Sequence, residues 1–219
     1  MKKEKRFLLS GLVLFVLFTL WTFMVQTVDI KPVGVKGTDV GFALFNTLAF
    51  EFTGVNMTIY HITDWLGLVP VAVGLMFAGL GFTQLVKRRN LFKVDADILI
   101  LGVYYIVVVA GYLVFEMIPI NYRPVLINGY MEASYPSSTT LLVLGVMPTL
   151  WEQADRRVKN GNVRKFVKGF TLLFSAFMVA GRLLSGVHWL TDIIGSVLLS
   201  AGLFCMYKGV VLLFCTRKN

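Results

Sequence analysis

One short segment of this chain carries a cation, an imidazole and a carboxylate at a fixed spacing. Arg182 is followed six residues later by His188, and Asp192 comes four residues after that. On a helix that begins near Ser185 or Gly186, residues four apart share one face, so Asp192 could hydrogen-bond one ring nitrogen of His188. That bond would fix the tautomer and leave the other nitrogen basic, as nucleophilic or base catalysis requires. Gly186 allows a bend that would aim Arg182 at an anion held near His188.

A second cation and a run of hydroxyl side chains lie upstream of this segment. Arg123 precedes Pro124, and Pro136 is followed by the four residues Ser137, Ser138, Thr139 and Thr140. Proline is favourable in the first turn of a helix, so we expect a helix to open at Pro136. The N-terminus of a helix offers free backbone N–H groups to a phosphate group. The two segments together predict a phosphate-handling site.

The elements that must position these residues are membrane helices. Hydrophobic residues make up 57% of the 219 residues, which exceeds the share in a soluble domain. Trp65 and Trp189, at the ends of two apolar runs, are interpreted as tryptophans of the membrane interface. Runs of about 20 apolar residues predict six transmembrane helices, and we place them at 7–27, 65–86, 97–119, 136–152, 166–184 and 189–214.

The basic residues alternate between the two sides of the predicted spans. Most of the 21 Lys and Arg residues fall within 2–6, 87–93 and 156–168, with Arg217 and Lys218 near the end of the chain. The positive-inside rule therefore places both termini in the cytoplasm and the candidate site on the extracytoplasmic face. This pattern accounts for the net charge of +9 without nucleic acid. We expect a multi-pass protein of a cell membrane, and its small size and short loops indicate a bacterial host.

We interpret 1–219 as a single six-helix membrane domain. Its longest connection, 28–64, could form a seventh span, which would carry Asn46 and Glu51 through lipid at a high cost. An interfacial helix on the outer leaflet is the expected alternative.

At the residues described so far, the sequence resembles the type-2 phosphatidic acid phosphatase superfamily, membrane lipid-phosphate phosphatases that share a core with vanadium haloperoxidases. The resemblance runs from about Glu116 to the C-terminus, with a motif core at 116–192. The third motif of that family, Ser-Arg, five residues, His, three residues, Asp, appears as Gly181-Arg182, His188 and Asp192.

The other two motifs match in part. The first ends in Arg-Pro, as Arg123-Pro124 does here, but its Lys seven residues before the Arg is here Glu116. The second, Pro-Ser-Gly-His, is here the segment from Pro136 to Thr139, so its His is replaced by Thr139.

The resemblance implies a role for each matched residue. His188 would be the nucleophile that forms a phosphohistidine, with Asp192 as its partner and without a metal or cofactor. The substrate would be a lipid phosphate in the bilayer. Its phosphoryl oxygens would be held by Arg123, Arg182 and Ser137, and we add Ser138 and Thr139 because they share the same predicted helix start.

The missing His leaves three alternatives, because in the family it protonates the leaving group. Glu116 could be a substitute acid, with Glu132, Tyr135 and His61 as weaker candidates. A lipid diphosphate such as polyprenyl diphosphate would need no acid, because a phosphate monoester anion is already a good leaving group. The third alternative is a non-catalytic protein of the same fold that binds or transports lipid phosphates.

Two of these acid candidates have simpler explanations. Glu116 could form an ion pair with Arg123, two helical turns away. His61 could be an ordinary interfacial histidine near a helix cap formed by Thr63 or Asp64.

Overall fold

In the computed structural model, which describes residues 2–215, helices account for the regular structure and no β-strand occurs within that range. The all-α prediction is confirmed. Arg217 and Lys218, which contribute to the predicted charge pattern, lie outside the described residues. The eight helices are α1 Lys3–Val25, α2 Ala43–Thr53, α3 Met57–Leu66, α4 Leu68–Arg88, α5 Ala96–Met117, α6 Ser138–Arg157, α7 Gly161–Leu184 and α8 Leu190–Cys215.

Five helical segments within residues 2–215 are long and apolar enough to cross a membrane. They are α1, α5, α7, α8 and the segment 57–88, in which α3 continues into α4 through a turn at Gly67. The chain is therefore a multi-pass membrane protein. The remaining predicted span, 136–152, forms α6. Because α6 is not among these five segments, the number of membrane crossings stays a prediction.

Helix α6 is more polar than the others because the surrounding helices, rather than lipid, cover it. It packs against α4, α5, α7 and α8. The hydroxyl groups of Thr149 and Tyr105 lie 2.6 Å apart, and the Gln153 amide donates to the Tyr207 hydroxyl at 3.2 Å. A polar helix inside a bundle can satisfy its side chains in this way, which lipid does not allow.

The core forms where α1, α5, α6 and α8 meet. Helix α1 packs along α8, and Phe18 of α1 meets the ring of Phe115 of α5 edge-on at 5.7 Å. Tyr135, from the connection before α6, stacks on Phe18 at 6.3 Å and is 1% exposed. The loop that leads into α6 is thereby anchored in the core.

The long connection between α1 and α4 contains two helices, α2 and α3. Asn46 of α2 is fully buried, and its amide group exchanges hydrogen bonds with Thr191 at the start of α8. Helix α3 begins after Asn56, whose side-chain oxygen accepts from the N–H of Ile59 at 3.0 Å. The predicted cap at Thr63 or Asp64 is wrong, because the capping side chain is that of Asn56, about two helical turns earlier.

A cluster of ion pairs joins the ends of three helices that lie away from the α6 N-terminus. Arg157 at the end of α6 contacts Asp95 at 3.1 Å and Asp97 at 2.6 Å, and Arg88 at the end of α4 contacts Asp95 at 2.8 Å. The hydrogen bond from Arg88 is the main reason why the pKa of Asp95 lies below its ordinary value. These contacts hold the ends of α4, α5 and α6 together at the face where the sequence predicts the cytoplasm.

Candidate active site

The turn between α7 and α8 carries His188. Gly186 has a φ of +66°, and a side chain there would collide with the carbonyl oxygen of Gly54. Glycine alone adopts this left-handed backbone without strain. The chain reverses at Gly186 and α8 begins only at Leu190, so the expectation that His188 lies on the helix is wrong. His188 precedes the helix in a turn, with 3% of its surface exposed.

The two ring nitrogens of His188 face different partners. Nδ1 lies 3.2 Å from the carbonyl oxygen of Ser134. Nε2 lies 3.5 Å from Nη1 of Arg123 and 3.3 Å from Nη2 of Arg182. A carbonyl oxygen can only accept and a guanidinium group can only donate, so we infer that Nδ1 carries the proton and Nε2 carries the lone pair. The basic nitrogen therefore faces both arginines.

The surroundings of His188 favour the neutral ring. Burial lowers its pKa well below the ordinary value, and the charges of Arg123 and Arg182 lower it further. The Ser134 carbonyl opposes these effects only in part. A neutral imidazole with a free lone pair is the form that can act as a nucleophile.

Asp192 lies below the ring but makes no hydrogen bond to it. Its Oδ2 accepts from the N–H of Trp189 at 2.9 Å and lies 3.8 Å from Nδ1 of His188. The predicted direct hydrogen bond is wrong, because the Ser134 carbonyl takes that place. Asp192 is fully buried, and the side chains of Ser134 and Asn121 approach it. It holds the turn and places a carboxylate beside the ring.

Arg123 reaches His188 from the connection between α5 and α6. That connection folds back on itself, with the N–H of Arg123 donating to the Glu132 carbonyl and the N–H of Ser134 donating to the Asn121 carbonyl. Nε of Arg123 also lies 3.1 Å from a carboxylate oxygen of Glu132. Glu132, and not Glu116, is therefore the ion-pair partner of Arg123.

Arg182 lies at the end of α7 and is fully buried. Its Nη1 donates to the hydroxyl of Thr63 at 3.4 Å and lies 3.7 Å from the carboxylate of Asp64. Both contacts come from α3. The two cations thus approach His188 from two separate segments, the connection between α5 and α6 and the end of α7. Each has one carboxylate beside it.

The predicted hydroxyl run lies at the start of α6. The helix begins at Ser138 rather than at Pro136, with Ser137 as the residue before it. The N–H of Ser137 donates to the Asp192 carbonyl at 3.3 Å, and its hydroxyl donates to Thr140 at 3.1 Å. The first N–H groups of the helix have no partner within the helix. Ser138 and Thr139 are half-buried at this end.

Glu116 is a predicted site residue that the structure does not join to His188 or the two arginines by a hydrogen bond or ion pair within residues 2–215. It is exposed and lines a small depression beside Ser134, Tyr135 and Ser138. Within residues 2–215 the side chain of Glu116 makes no hydrogen bond or ion pair.

Sequence reasoning missed the contribution of α3 and of Trp189. Tyr60, Thr63 and Asp64 line the site, and their spacing of three and four residues would have indicated one helix face. Trp189 is 3% exposed and donates to the Tyr122 carbonyl at 2.8 Å, so its interpretation as an interfacial tryptophan is wrong. No feature of the sequence links residues 60–64 to a motif more than a hundred residues later.

A comparison with known protein families identifies the part of the chain that carries this site. The sequence model of the PAP2 superfamily matches residues 98–213, which is more than half of the chain and includes every predicted site residue. The chain belongs to the PAP2 superfamily. The PAP2 match confirms the resemblance found from the motifs, and it leaves α3 outside the matched region.

A solved structure extends the PAP2 comparison to the whole fold. The crystal structure of a transmembrane PAP2-type phosphatidylglycerolphosphate phosphatase from Bacillus subtilis matches this chain with a TM-score of 0.63 and 16% sequence identity. The match covers 96% of this chain and 99% of that one. No curated protein sequence matches this chain significantly.

Proposed function

We propose that this PAP2 protein is a lipid phosphatase that hydrolyses a membrane lipid phosphate through a phosphohistidine intermediate. The observation that carries the proposal is the convergence of Arg123 and Arg182 on the unprotonated Nε2 of His188. Two guanidinium groups beside a neutral nucleophile suit a phosphoryl group, because they bind its oxygens while the nitrogen faces phosphorus.

The chemistry has two steps. In the first, the Nε2 lone pair of His188 attacks phosphorus, and the bond to the leaving oxygen breaks with its electron pair on that oxygen. The arginines and the free N–H groups at the start of α6 stabilise the charge on the phosphoryl oxygens. The ring becomes positively charged, and the Ser134 carbonyl and the Asp192 carboxylate stabilise it. In the second, water attacks phosphorus, the electron pair of the P–N bond returns to Nε2, and one proton of the water passes to an oxygen of the released phosphate.

The leaving group decides the preferred substrate. A departing alkoxide needs a proton. If no acid supplies that proton, the rate of the reaction falls by about 10²–10⁴. The second-motif His that would supply the proton is Thr139, and within residues 2–215 no hydrogen bond or ion pair joins Glu116 to His188 or the arginines. A lipid diphosphate releases a phosphate monoester anion, which needs no acid. We therefore propose polyprenyl diphosphate as the preferred class of substrate.

The proposed site faces the extracytoplasmic side of a cell membrane. The distribution of Lys and Arg supports this orientation. The B. subtilis protein of similar fold is a phosphatidylglycerolphosphate phosphatase, which supports a phosphorylated lipid as the substrate here.

The test is phosphate release by the purified protein from polyprenyl diphosphate and from phosphatidate, without added metal. We expect His188→Ala to abolish release. His61→Ala tests the other histidine: His61 is exposed, so this variant should keep its activity, whereas a loss on phosphatidate but not on polyprenyl diphosphate would make His61 the substitute acid. Glu116→Gln should lose activity on phosphatidate alone if Glu116 is the acid. No release from either lipid would favour the non-catalytic binding or transport alternative.

A further inference from the structure

Both phosphate-site arginines lie over the ring of one tyrosine. The guanidinium carbon of Arg182 is 5.0 Å from the centre of the Tyr60 ring, and that of Arg123 is 5.9 Å from it. Tyr60 is 8% exposed and packs with Ile127 and Val187. Within residues 2–215 it makes no hydrogen bond to His188, so its contacts with the site run through the two guanidinium groups and through Val187.

The backbone of α3 is held against the His188 turn, which fixes the position of Tyr60. The N–H of Asn56 donates to the Ser185 carbonyl at 3.0 Å. Gly181 lies so close to α3 that a Cβ atom there would be 2.6 Å from Cγ2 of Thr63. The ring is thus attached to the same turn that carries the nucleophile.

Two buried cations that approach one nitrogen repel each other. Glu132 and Asp64 balance part of this charge, but their side chains are 37% and 54% exposed, so water weakens their effect. The face of an aromatic ring is negative and attracts a cation within about 6 Å of its centre. Both guanidinium groups meet that condition at Tyr60, in a place that water does not reach.

We propose that Tyr60 is a positioning residue whose ring face holds Arg123 and Arg182 in the orientation that binds the phosphoryl group. This inference rests on the proposed function and adds a residue outside the matched family region. It requires the ring and not the hydroxyl group, which distinguishes it from a role in proton transfer.

The experiment measures the affinity of the purified protein for inorganic phosphate by isothermal titration calorimetry, with Tyr60→Leu and Tyr60→Phe beside the wild type. We expect Tyr60→Leu to weaken phosphate binding by about tenfold, which is less than the full value of two buried cation–π contacts because these contacts also exist before phosphate binds. Tyr60→Phe should stay within about threefold of the wild type, because it keeps the ring face. Mono-, di- and trifluorinated phenylalanine at position 60 should weaken binding stepwise, since each fluorine makes the ring face less negative at nearly constant shape.

Ile127→Ala is the matched control, because it removes packing against Tyr60 and leaves the ring in place. It should lower the thermal unfolding temperature without weakening phosphate binding. Equal affinity in Tyr60→Leu and wild type, or equal weakening in Tyr60→Phe and Tyr60→Leu, would overturn the proposal, and so would an affinity unchanged by fluorination. A wild type that binds no phosphate would overturn it together with the proposed function. Phosphate binding that depends on the ring at position 60, without any lipid hydrolysis, would support the role of Tyr60 and contradict the proposed phosphatase activity.

Discussion

His188 is held on both sides by groups that admit only one form of the ring. The Ser134 carbonyl needs a hydrogen on Nδ1, and the two guanidinium groups need a lone pair on Nε2. Adding a second proton would place a third positive charge beside two arginines in a buried turn. The charge state of this residue is therefore the property most sensitive to its neighbours.

The pH dependence of activity should reflect this. In the proposed mechanism His188 attacks phosphorus only when neutral, so activity should be lost as pH falls through its pKa, which lies below the ordinary value of 6.5. We expect the acid limb of the kcat/KM profile below pH 6.5. Arg123→Gln removes one charge that lowers this pKa, so the limb should move to higher pH, with an overall loss of about 100-fold.

Arg164→Gln, at an exposed position near the start of α7, is the matched control for the pH profile. It should leave both the limb and the rate unchanged. A limb that stays in place in Arg123→Gln would mean that this cation does not set the charge state of His188.

At the scale of residues, the sequence predicted the cluster but not its internal bonds. Charged and polar side chains that stand out from apolar runs are easily identified, and the structure brings Arg182, His188 and Asp192 together with Arg123 as the motifs imply. The partner of Nδ1 could not be predicted, because it is a main-chain carbonyl, which every residue has. The contribution of Tyr60 to the site could not be predicted for a similar reason, since aromatic residues are common in membrane helices.

At the scale of elements, the close packing of α3 on α7 depends on Gly181. The family motif has Ser at this position, whereas here the missing side chain leaves space for Thr63. Because Thr63 and Asp64 both contact Arg182, the position of the whole helix affects the site.

Gly181→Ser should push α3 away from α7. Overpacking of this kind costs about 1–3 kcal/mol, and each kcal/mol lowers the unfolding temperature by about 2–4 °C in a chain of this size. We expect a lower midpoint in detergent and weaker phosphate binding. The double variant Gly181→Ser/Thr63→Ser should recover both, because it removes the obstructing methyl group and keeps the hydroxyl. If Gly181→Ser alone is as stable as the wild type and binds phosphate as tightly, α3 can shift without cost.

The helices that are apolar along their length were predicted well, since their boundaries follow from hydropathy. The predicted span 97–119 corresponds to α5 at Ala96–Met117, for example. The segment 28–64 was harder, because its polar residues are interspersed with phenylalanines. The hydrogen bonds of Asn46 with Thr191 and with the Gly41 carbonyl, which the structure reveals, explain why α2 can bury a polar side chain.

At the scale of the whole molecule, the two ends of the bundle carry different groups of residues. One end brings α3, α6, α7 and α8 together around His188, and the other joins α4, α5 and α6 through ion pairs with Asp95 and Asp97. If the bundle crosses the membrane as the basic residues indicate, the two ends face different compartments.

The orientation can be tested with single cysteines in a variant that lacks Cys205 and Cys215. Tyr130→Cys, in the exposed connection between α5 and α6, should react with a membrane-impermeant maleimide on intact cells. Phe92→Cys and Lys159→Cys, on the other side of α5 and α6, should react only after lysis. Labelling of both Tyr130→Cys and Lys159→Cys on intact cells would contradict a crossing by α6, and the reverse pattern at all three positions would contradict the predicted orientation.

The pairing of α1 with α8 has a consequence for biosynthesis. The ribosome makes α1 first and α8 last, yet the two helices pack along each other, and Trp21 of α1 donates to the Thr191 carbonyl at the start of α8. His188 and Asp192 also emerge only with that last helix. Until α8 is inserted, the face of α1 that contacts α8 lacks this partner. A nascent chain at that stage has no complete candidate site, and the insertion of α8 completes both the helix packing and the site.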